Sequence, residues 1–330
     1  MELRQLRYFV AIAEYGTFSK AAAKVHIAQS ALSHQLAQLE EELGAALFLR
    51  SRRGATLTEA GALFHVHALS ILRQVADAQA SVSSMLSAPS GRVIFGLPHS
   101  VSHALALPII AAVRLELPLV NLELTEELTG NLSQQLQAGA LHLSILFDDG
   151  HMDEFLYECL VSERMSLIDQ PSSAPGRIRT SVSFREALSQ PLILPAQPHG
   201  VRPIIENAAL KAGLPPPNVV ADISSISILR NSLLAGLGQT ILPVMPLKAE
   251  LEEGLLRSVP IRSPALTRTV ALCHARHIPL STAAQAVSVV ARRVMKELCQ
   301  KKIWTDATFI GVKSGDAFSS DFKTRAHNAE

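Results

Sequence analysis

Five hydrogen-bonding side chains lie close together near the N-terminus, and their types suit the recognition of DNA bases. They are Gln29, Ser30, Ser33, His34 and Gln35. Hydroxyl, imidazole and amide groups can each donate or accept a hydrogen bond. No acidic residue follows them until the run at 40–42. On the outer face of one helix, such side chains can reach base edges in a major groove.

Three arginines follow in a short segment, at Arg50, Arg52 and Arg53. Guanidinium groups in a loop beside such a helix suit phosphate or minor-groove contacts. For Arg50, an ion pair with the carboxylates at 40–42 is the structural alternative. The whole chain has a net charge of only +1, so overall basicity does not indicate a nucleic-acid partner. The hypothesis of DNA binding therefore depends on where the charges lie.

A second set of polar residues is predicted at the ends of strands after residue 91. His99, Ser100, Ser102 and Thr129 follow two predicted strands, and Gln197, His199 and Arg202 follow another. In open α/β sheets, ligands bind beyond the carboxyl ends of strands, where helix N-termini offer free N–H groups. We therefore predict that these residues bind a small effector, for example a carboxylate. For each Ser or Thr, the alternative is a helix cap that satisfies its own backbone.

Histidine spacing argues against metal binding, and catalytic motifs are not evident. His65 and His67 would project about 200° apart on a helix. His99 and His103 have i,i+4 spacing but no evident third ligand. No phosphate loop, nucleophile elbow or pair of carboxylates stands out. We predict that the protein is not an enzyme, holds no metal and has no cofactor other than a small-molecule co-inducer.

The cysteines and the hydropathy pattern indicate a cytoplasmic protein. Cys159, Cys273 and Cys299 lack paired or metal-ligand spacing, which predicts buried thiols in a reducing compartment. No apolar run is long enough to span a membrane. The N-terminus carries Glu2 and Arg4 within a helical pattern and is not typical of a secretory signal.

The elements around the first polar set form a helical unit. Residues 3–15 predict an amphipathic helix that supports the pair after it. The second helix of that pair is predicted from Gln29 to Leu43, with its apolar residues spaced four, three and four, which makes one buried stripe. The polar set then points to the opposite side. A wing is predicted over 51–57, with Gly54 at its tip.

A long helix is predicted from its cap, Thr58, to about Ser87. Its apolar residues alternate spacings of four and three, at Phe64, Ala68, Ile71, Val75, Ala78, Val82 and Met85. This heptad stripe predicts coiled-coil pairing of two subunits over 59–87. The alternative is a helix buried within one domain. A helix of about thirty residues reaches roughly 45 Å, which suits two DNA half-sites.

After residue 91, short strands alternate with helices, which predicts an open α/β sheet. Crossings near Ser162 and Ser263 divide this region into two lobes around a cleft. Lobe I is predicted at about 91–162 and 268–300, and lobe II at about 163–267. The polar run 301–330 has neither a helical nor a strand period, and we predict a disordered tail there.

Six motifs occur in order over residues 3–61: Leu3-x-x-Leu6-x-x-Phe9, Gly16-Thr-Phe-Ser-Lys-Ala-Ala, Ala28-Gln-Ser-Ala-Leu-Ser-His-Gln, Leu39-Glu-x-x-Leu43-Gly, Leu47-Phe48-x-Arg50 and Leu57-Thr-Glu-Ala-Gly61. Together they resemble the winged helix-turn-helix of LysR-type transcriptional regulators. The sequence at 27–30, 58–61 and 194–202 is similar to that of the nitrogen assimilation control branch of the family. One departure is Ser30, where the family more often has proline.

The resemblance implies a fold class of α/β with an N-terminal all-α winged helix-turn-helix. It implies a DNA-binding domain at 1–58, a linker and dimerisation helix with a hinge at 59–90, and an effector-binding domain at 91–300. That last domain would have two lobes, similar to periplasmic binding proteins. The resemblance further implies a homodimer or homotetramer on double-stranded promoter DNA, in contact with RNA polymerase and away from membranes.

The resulting hypothesis is a sequence-specific transcription factor modulated by a small, anionic effector. One alternative is a solute-binding protein of the two-lobed α/β type, whose N-terminal helices serve only for assembly. That protein would need export, and no signal segment precedes Met1. The other alternative is an enzyme on the same fold, which would need a convergent base or nucleophile in the cleft.

Overall fold

The computed structural model describes residues 1–51, 54–83, 88–148, 152–171, 180–196 and 200–315. Contacts between residues divide the chain into two compact units. The first unit comprises Met1–Ala88 and Ala138–Ala140, and the second comprises the remaining residues. None of the helices described within these ranges is long and apolar enough to cross a membrane.

The first unit contains three helices, a two-stranded wing and a long fourth helix. Its elements are α1 (Leu3–Tyr15), α2 (Phe18–Lys24), α3 (Gln29–Leu43), β1 (Phe48–Ser51), β2 (Gly54–Leu57) and α4 (Glu59–Ser83). The bounds of α3 are those predicted. The strands β1 and β2 form an antiparallel hairpin in which Phe48 lies opposite Leu57. The predicted end of α4 near Ser87 lies outside the described residues.

An apolar core joins the three helices to the wing. The helix α3 buries Leu32 and Leu39 on one side, as their spacing predicts. The ring of Phe9 on α1 is also buried, with its centroid 5.3 Å from the ring of Phe48 and 5.0 Å from the ring of Phe64. Aromatic rings at this separation attract each other beyond their burial. These contacts hold the wing and α4 against α1.

Local signals set the helix ends, among them the predicted cap Thr58. The Thr17 hydroxyl accepts a hydrogen bond from the Lys20 N–H at 3.3 Å, and the Thr58 hydroxyl accepts one from the Gly61 N–H at 2.9 Å. Such caps satisfy amides that the helix itself leaves unpaired. Gly44 ends α3 with a φ of +67°, a left-handed conformation that glycine adopts without strain.

The first half of the predicted heptad stripe on α4 packs within its own chain. Phe64, Ala68 and Ile71 contact the core of α1–α3 and the wing. The prediction that the whole stripe pairs two subunits is therefore wrong for this half. A heptad period identifies an apolar face, and the same chain covers this one. Among the described side chains of α4, the large apolar ones left exposed are Leu63, Val66, Leu69 and Val82.

The second unit alternates strands and helices, as predicted for an open α/β sheet. Its elements are β3 (Gly91–Pro98), α5 (His99–Glu116), β4 (Val120–Glu127), α6 (Thr129–Gln137), β5 (Leu143–Phe147), β6 (Phe155–Arg164), β7 (Ser166–Asp169), β8 (Val182–Ser183), α7 (Phe184–Ser189), β9 (Leu192–Leu194), α8 (Arg202–Lys211), β10 (Val219–Asp222), α9 (Ile226–Leu234), β11 (Thr240–Leu242), α10 (Lys248–Glu252), β12 (Arg257–Arg262), β13 (Thr267–Ala275), α11 (Thr282–Gln300) and β14 (Ala307–Gly315).

Lobe I is built on a sheet with the strand order β14-β6-β13-β5-β3-β4. Alternate residues of β3 face opposite sides of this sheet. Val93 and Phe95 pack in the core with α5 and α11, whereas Ile94 packs in the core with α6. Because β3 runs parallel to β4 and β5, the carboxyl ends of the three strands lie at one edge. The helices α5 and α6 begin at that edge.

Lobe II is built on a sheet with the order β11-β7-β12-β8 and on the pair β9–β10. It has its own core, which includes Leu167, Ile193 and Leu229. The chain passes between the lobes twice, from β6 into β7 and from β12 into β13. The crossings predicted near Ser162 and Ser263 fall close to these two points.

The C-terminal segment corrects the prediction of a disordered tail over 301–330. The strand β14 pairs antiparallel with β6 at the edge of the lobe I sheet, with Thr308 opposite Ser162. Trp304 is buried beside it. A short run of strand-forming residues, Thr308 to Ile310, can satisfy the free backbone groups of a sheet edge even though it is too short to show a period. Residues 316–330 lie outside the described part of the chain.

Candidate functional site

The outer face of α3 presents the polar residues predicted to meet DNA. Gln29, Ser30 and His34 are exposed, and Ser33 and Gln35 are half-buried. The acidic residues of α3 begin only at its far end, at 40–42. The first two turns therefore present uncharged donors and acceptors without a carboxylate that would repel a phosphate backbone.

The N-terminus of α3 is open to an external acceptor. Its N-cap residue, Ala28, has no side chain that can accept a hydrogen bond from the first turn. The first N–H groups of a helix have no partner within the helix. Together with the helix dipole they form a site that favours phosphate. The same end of the helix carries Gln29 and Ser30.

Arg50 lies on β1 with its guanidinium half exposed. Its Nη2 atom is 3.8 Å from Oε2 of Glu40, and its Cζ atom is 4.7 Å from the centre of the Phe18 ring. The ion pair considered as an alternative is therefore present, but it is longer than a hydrogen bond and adds little at an exposed site. The guanidinium remains accessible to a phosphate. Arg52 and Arg53 lie outside the described residues.

Glu40 connects α3 to the wing. Its Oε1 atom accepts hydrogen bonds from the N–H groups of Leu47 at 2.7 Å and Phe48 at 3.3 Å. One carboxylate thus satisfies two backbone donors where β1 begins. This bridge positions the wing, and with it Arg50, relative to α3.

Replacing Glu40 by Ala should lower the free energy of unfolding of the first unit by about 1–3 kcal/mol, because two amide donors would lose their acceptor. Glu42 offers the control, since its exposed carboxylate contacts the N-terminal ammonium group. Glu42→Ala should change the same free energy by about 0.5 kcal/mol or less. Urea denaturation of the two variants compares them. Equal losses in both would contradict the bridging role of Glu40.

Gly61 allows α4 to pass close to the segment before the wing. A Cβ atom at this position would lie 2.0 Å from the Leu47 carbonyl oxygen and 3.2 Å from Cδ2 of Leu57. The first contact is far shorter than a van der Waals distance, and it involves backbone that cannot rotate away. A side chain at position 61 would therefore push α4 off the DNA-binding unit.

Gly61→Ala should destabilise the first unit by about 3 kcal/mol, at the upper end of the range for overpacking. In an open helix the same change would stabilise by about 1 kcal/mol. Gly16→Ala is the control, since its Cβ atom would meet nothing within 4 Å although its φ is +68°. Strain alone should cost that variant about 1 kcal/mol. Hydrogen exchange of the amides of α1–α4 measures both, and unchanged protection in Gly61→Ala would refute the close approach.

A pocket lies between the two lobes, at the carboxyl ends of β3 and β4. Its cavity volume is about 40 Å³, and it continues into open solvent. Three of the predicted effector-binding residues line it, namely His99, Ser100 and Thr129. Gln197 and His199 lie outside the described residues. The remaining lining residues are Pro98, Glu127, Leu128, Phe147, Pro195, Gly200, Val201, Ser224, Ile226, Leu242 and Arg268.

Two predicted effector-binding residues, Ser102 and Arg202, make structural contacts instead. The Ser102 hydroxyl lies inside α5, where it contacts the His99 carbonyl oxygen at 3.0 Å and the Glu126 carboxylate, so it is not the helix cap considered as its alternative. Arg202 donates through Nε to Glu206 at 2.5 Å and through Nη1 to Asp222 at 2.9 Å. Neither residue lines the pocket. Their side chains are held by neighbours in the sequence or on the next strand.

Arg268 lines the same pocket, and sequence analysis did not single it out. Its side chain is fully buried, its Nε atom donates to Oε2 of Glu163 at 2.5 Å, and its Cζ atom lies 4.0 Å from the centre of the Phe147 ring. Arg268 and Glu163 face each other across β13 and β6. They lie 105 positions apart in the sequence. Only the register of β6 could have revealed the pair, and β6 was not predicted.

Residues 3–62 match the family described as bacterial regulatory helix-turn-helix protein, lysR family, and residues 87–296 match the LysR substrate binding domain. The chain belongs to the LysR family. It is a DNA-binding transcriptional regulator with a domain for a small-molecule effector, so the solute-binding alternative is not supported. The family and the relatives reported below are regulators rather than enzymes.

Two relatives of this LysR-family regulator carry the name nitrogen assimilation regulatory protein nac. The protein of Klebsiella aerogenes is 32% identical over 88% of this chain and 94% of its own length. The protein of Escherichia coli (strain K12) is 30% identical over 92% of this chain and 99% of its own length. These similarities confirm the resemblance that the N-terminal motifs indicate.

Solved structures confirm the fold class of this LysR-family regulator. A full-length OxyR variant from Pseudomonas aeruginosa superposes with a TM-score of 0.68 at 23% identity, covering 90% of this chain and 95% of that one. Full-length CbnR in complex with its target DNA superposes with a TM-score of 0.65 at 19% identity, covering 89% and 100%. Both are LysR-type structures with a helix-turn-helix domain and a two-lobed α/β domain.

The three cysteines of this LysR-family regulator are buried. Another relative, from Pectobacterium carotovorum subsp. carotovorum, is named hydrogen peroxide-inducible genes activator and is 30% identical over 85% of this chain and 92% of its own. Here Cys159, Cys273 and Cys299 are free and buried. Burial raises the pKa of Cys299 to about 11 and raises the pKa of Cys273 well above its usual value. Because the thiolate is the reactive form, burial lowers the reactivity of Cys273 and Cys299. In the described ranges, no group of three or more His, Cys, Asp or Glu side chains could hold a metal ion.

Proposed function

We propose that α3 reads promoter DNA by entering the major groove with its polar outer face. The observation that carries this proposal is the contrast between the two sides of α3. Gln29, Ser30 and His34 are exposed, while Leu32 and Leu39 are buried. Ser33 and Gln35 complete the reading face from its flanks. Side chains of these types make the hydrogen bonds that distinguish base pairs.

The arginines of the wing supply the affinity that does not depend on sequence. Arg50 is exposed and close to α3, and Arg52 and Arg53 follow it in the chain. Guanidinium groups that neutralise phosphates release counterions, so their contribution falls as salt rises. We place these three residues on the backbone or in the minor groove beside α3.

Two copies of the chain pair through the exposed side of α4. Leu63, Val66 and Leu69 form an apolar stripe on the side that does not pack on its own DNA-binding unit. Burial of such a stripe against a second copy would display α3 twice on one DNA duplex. We further propose that two dimers associate into a tetramer and that the promoter-bound assembly contacts RNA polymerase in the cytoplasm.

The pocket between the lobes is the site of the effector. His99, Ser100 and Thr129 stand at the N-termini of α5 and α6, which point N–H groups toward the pocket entrance. Contacts from both lobes mean that a ligand would favour one degree of lobe closure. A ligand with such differential affinity shifts the population of states and can change the pairing of dimers on DNA.

A gel-shift titration tests the proposal. The full-length protein should bind the duplex upstream of its own gene at least about 10³-fold more tightly than a shuffled duplex of the same composition. A candidate effector should change the length of the footprint or the oligomer size on that duplex. Equal affinity for both duplexes would overturn the DNA-reading role.

A further inference from the structure

The guanidinium of Arg268 is buried in the cleft with most of its hydrogen-bonding capacity unused. Arginine carries five N–H donors. The Nε donor binds Glu163, but neither Nη1 nor Nη2 has a hydrogen-bond partner among the described residues. The side chain is fully buried, and buried donors in native proteins are almost always satisfied. The guanidinium thus has room for an acceptor that the described residues do not supply.

Glu163 does not accept from these two groups in the structure. Its Oε2 atom already accepts from Nε of Arg268, and its Oε1 atom accepts from Nε1 of Trp304 at 2.8 Å. Glu163 therefore balances the charge of Arg268 and fixes its orientation. The ring of Phe147 lies below the guanidinium plane at 4.0 Å. These contacts fix the guanidinium of Arg268, a residue that lines the pocket.

We propose that Arg268 anchors the carboxylate of a small effector that has one acidic group and an apolar body. This inference rests on the proposed role of the cleft as an effector site and identifies the chemistry of its ligand. A guanidinium with two free Nη groups matches the two oxygens of a carboxylate. The body of the ligand would contact Leu128, Phe147 and Ile226 in the pocket wall.

The charges around the pocket favour a monocarboxylate over a dianion. Glu163 already neutralises Arg268, and the wall contains a further carboxylate, Glu127, which receives a hydrogen bond from Asn131. A phosphate or a dicarboxylate would therefore bring a second negative charge into a wall without a second arginine. A single carboxylate gains the guanidinium donors and adds the least repulsion.

Trp304 provides a built-in reporter for this site. It is the single tryptophan of the chain, it is buried, and its indole is one hydrogen bond from Glu163. A carboxylate on Arg268 changes the field and the hydrogen bonding around Glu163, and tryptophan emission responds to both. Binding at Arg268 can thus be followed in the full-length protein without a label.

The experiment titrates the full-length protein with benzoate, hexanoate, their neutral amides and inorganic phosphate, at constant ionic strength. We expect a saturable change of Trp304 emission with at least one carboxylate at millimolar concentration or below. The matching amide should bind about 30-fold more weakly or worse, since it loses the charge in the hydrogen bond to a buried guanidinium. A change with phosphate alone, equal binding of acid and amide, or no response to either acid would overturn the inference.

Paired substitutions keep the test independent of folding. Glu163→Gln with Arg268→Met removes both buried charges together and retains an acceptor for the Trp304 indole, so no charge is left unpaired. Carboxylate binding should weaken by about 30-fold or more in this variant. The control is Asp169→Asn with Arg257→Met, an ion pair at 2.6 Å in lobe II that does not line the pocket. Equal loss in both pairs, or retained binding in the first, would overturn the role of Arg268.

The same samples separate this inference from the proposed function. Specific binding to the upstream duplex in the absence of ligand depends on α3 and α4, and the Glu163→Gln, Arg268→Met variant should retain it. Specific DNA binding without any Trp304 response rejects only the carboxylate anchor. Loss of sequence preference in the unmodified chain rejects the proposed function whatever the emission shows.

Discussion

A chain carrying Ser33→Ala and His34→Ala should bind its upstream duplex about 30-fold more weakly than the unmodified chain, or worse, because each lost base contact costs about 1–3 kcal/mol. Both side chains lie on the outer side of α3, so their truncation leaves the buried stripe intact. Binding to a shuffled duplex should change little. The loss is therefore a loss of specificity, and gel shifts on the two duplexes measure it.

The matched control for this prediction is Arg52→Ala with Arg53→Ala. Phosphate contacts carry no sequence information, so this variant should bind both duplexes more weakly by a similar factor. The slope of log affinity against log salt should fall by about one per lost phosphate contact. If the Ser33, His34 variant weakened both duplexes equally, α3 would be a backbone contact and not the reading element.

Leu63→Glu with Leu69→Glu should convert the dimer to a monomer and reduce specific DNA affinity by about 10³-fold or more, toward the non-specific level. Each glutamate would place an unpaired charge in the apolar contact between two copies of α4. The core of the DNA-binding unit should survive, because Phe64 and Ile71 on the other side of α4 are unchanged. Analytical ultracentrifugation measures the mass, and gel shifts measure the affinity.

Gln79→Glu tests whether any charge on α4 has this effect. Gln79 is exposed and lies about 140° around the helix from the centre of the stripe formed by Leu63, Val66 and Leu69. This variant should remain dimeric and bind its upstream duplex with normal affinity. A dimer that persists in the Leu63, Leu69 variant would place the interface elsewhere on the chain.

The DNA-binding unit was largely predictable because its signals are local. The spacing from Gln29 to Leu43, the glycine after it and the hydroxyl of Thr58 each specify a helix end through contacts within a few residues. The heptad stripe was misassigned for a different reason. Periodicity identifies an apolar face, but it does not say whether the same chain or another chain covers that face. Phe64 and Ala68 are covered by their own chain.

The cleft was less predictable because its decisive contacts are distant in sequence. The position of His99, Ser100 and Thr129 beside the pocket was predictable because helix starts after strands are visible locally. The pair of Arg268 and Glu163 depends on β6 and β13 lying side by side. A charged residue near the start of a strand normally faces solvent, and only the tertiary structure shows that Arg268 is fully buried.

The C-terminal segment was also hard to predict, because its main contacts are with residues distant in the sequence. Trp304 is buried and bonded to Glu163, which lies 141 positions earlier. The neighbouring strand β14 is stable only beside the edge that β6 offers. Its own residues are too few and too mixed to predict a strand. The described part of the segment beyond residue 300 therefore belongs to lobe I. Its Trp304 shares the carboxylate of Glu163 with Arg268, which lines the pocket.

A nuclease footprint of the full-length protein on the duplex upstream of its gene would most directly show whether two copies of α3 read one stretch of DNA. We predict two protected segments on the same face of the duplex, whose centres are separated by a whole number of turns of about 10 base pairs. The Ser33, His34 variant should lose both segments together. A single protected segment, or protection no stronger than on a shuffled duplex, would contradict paired reading by α3.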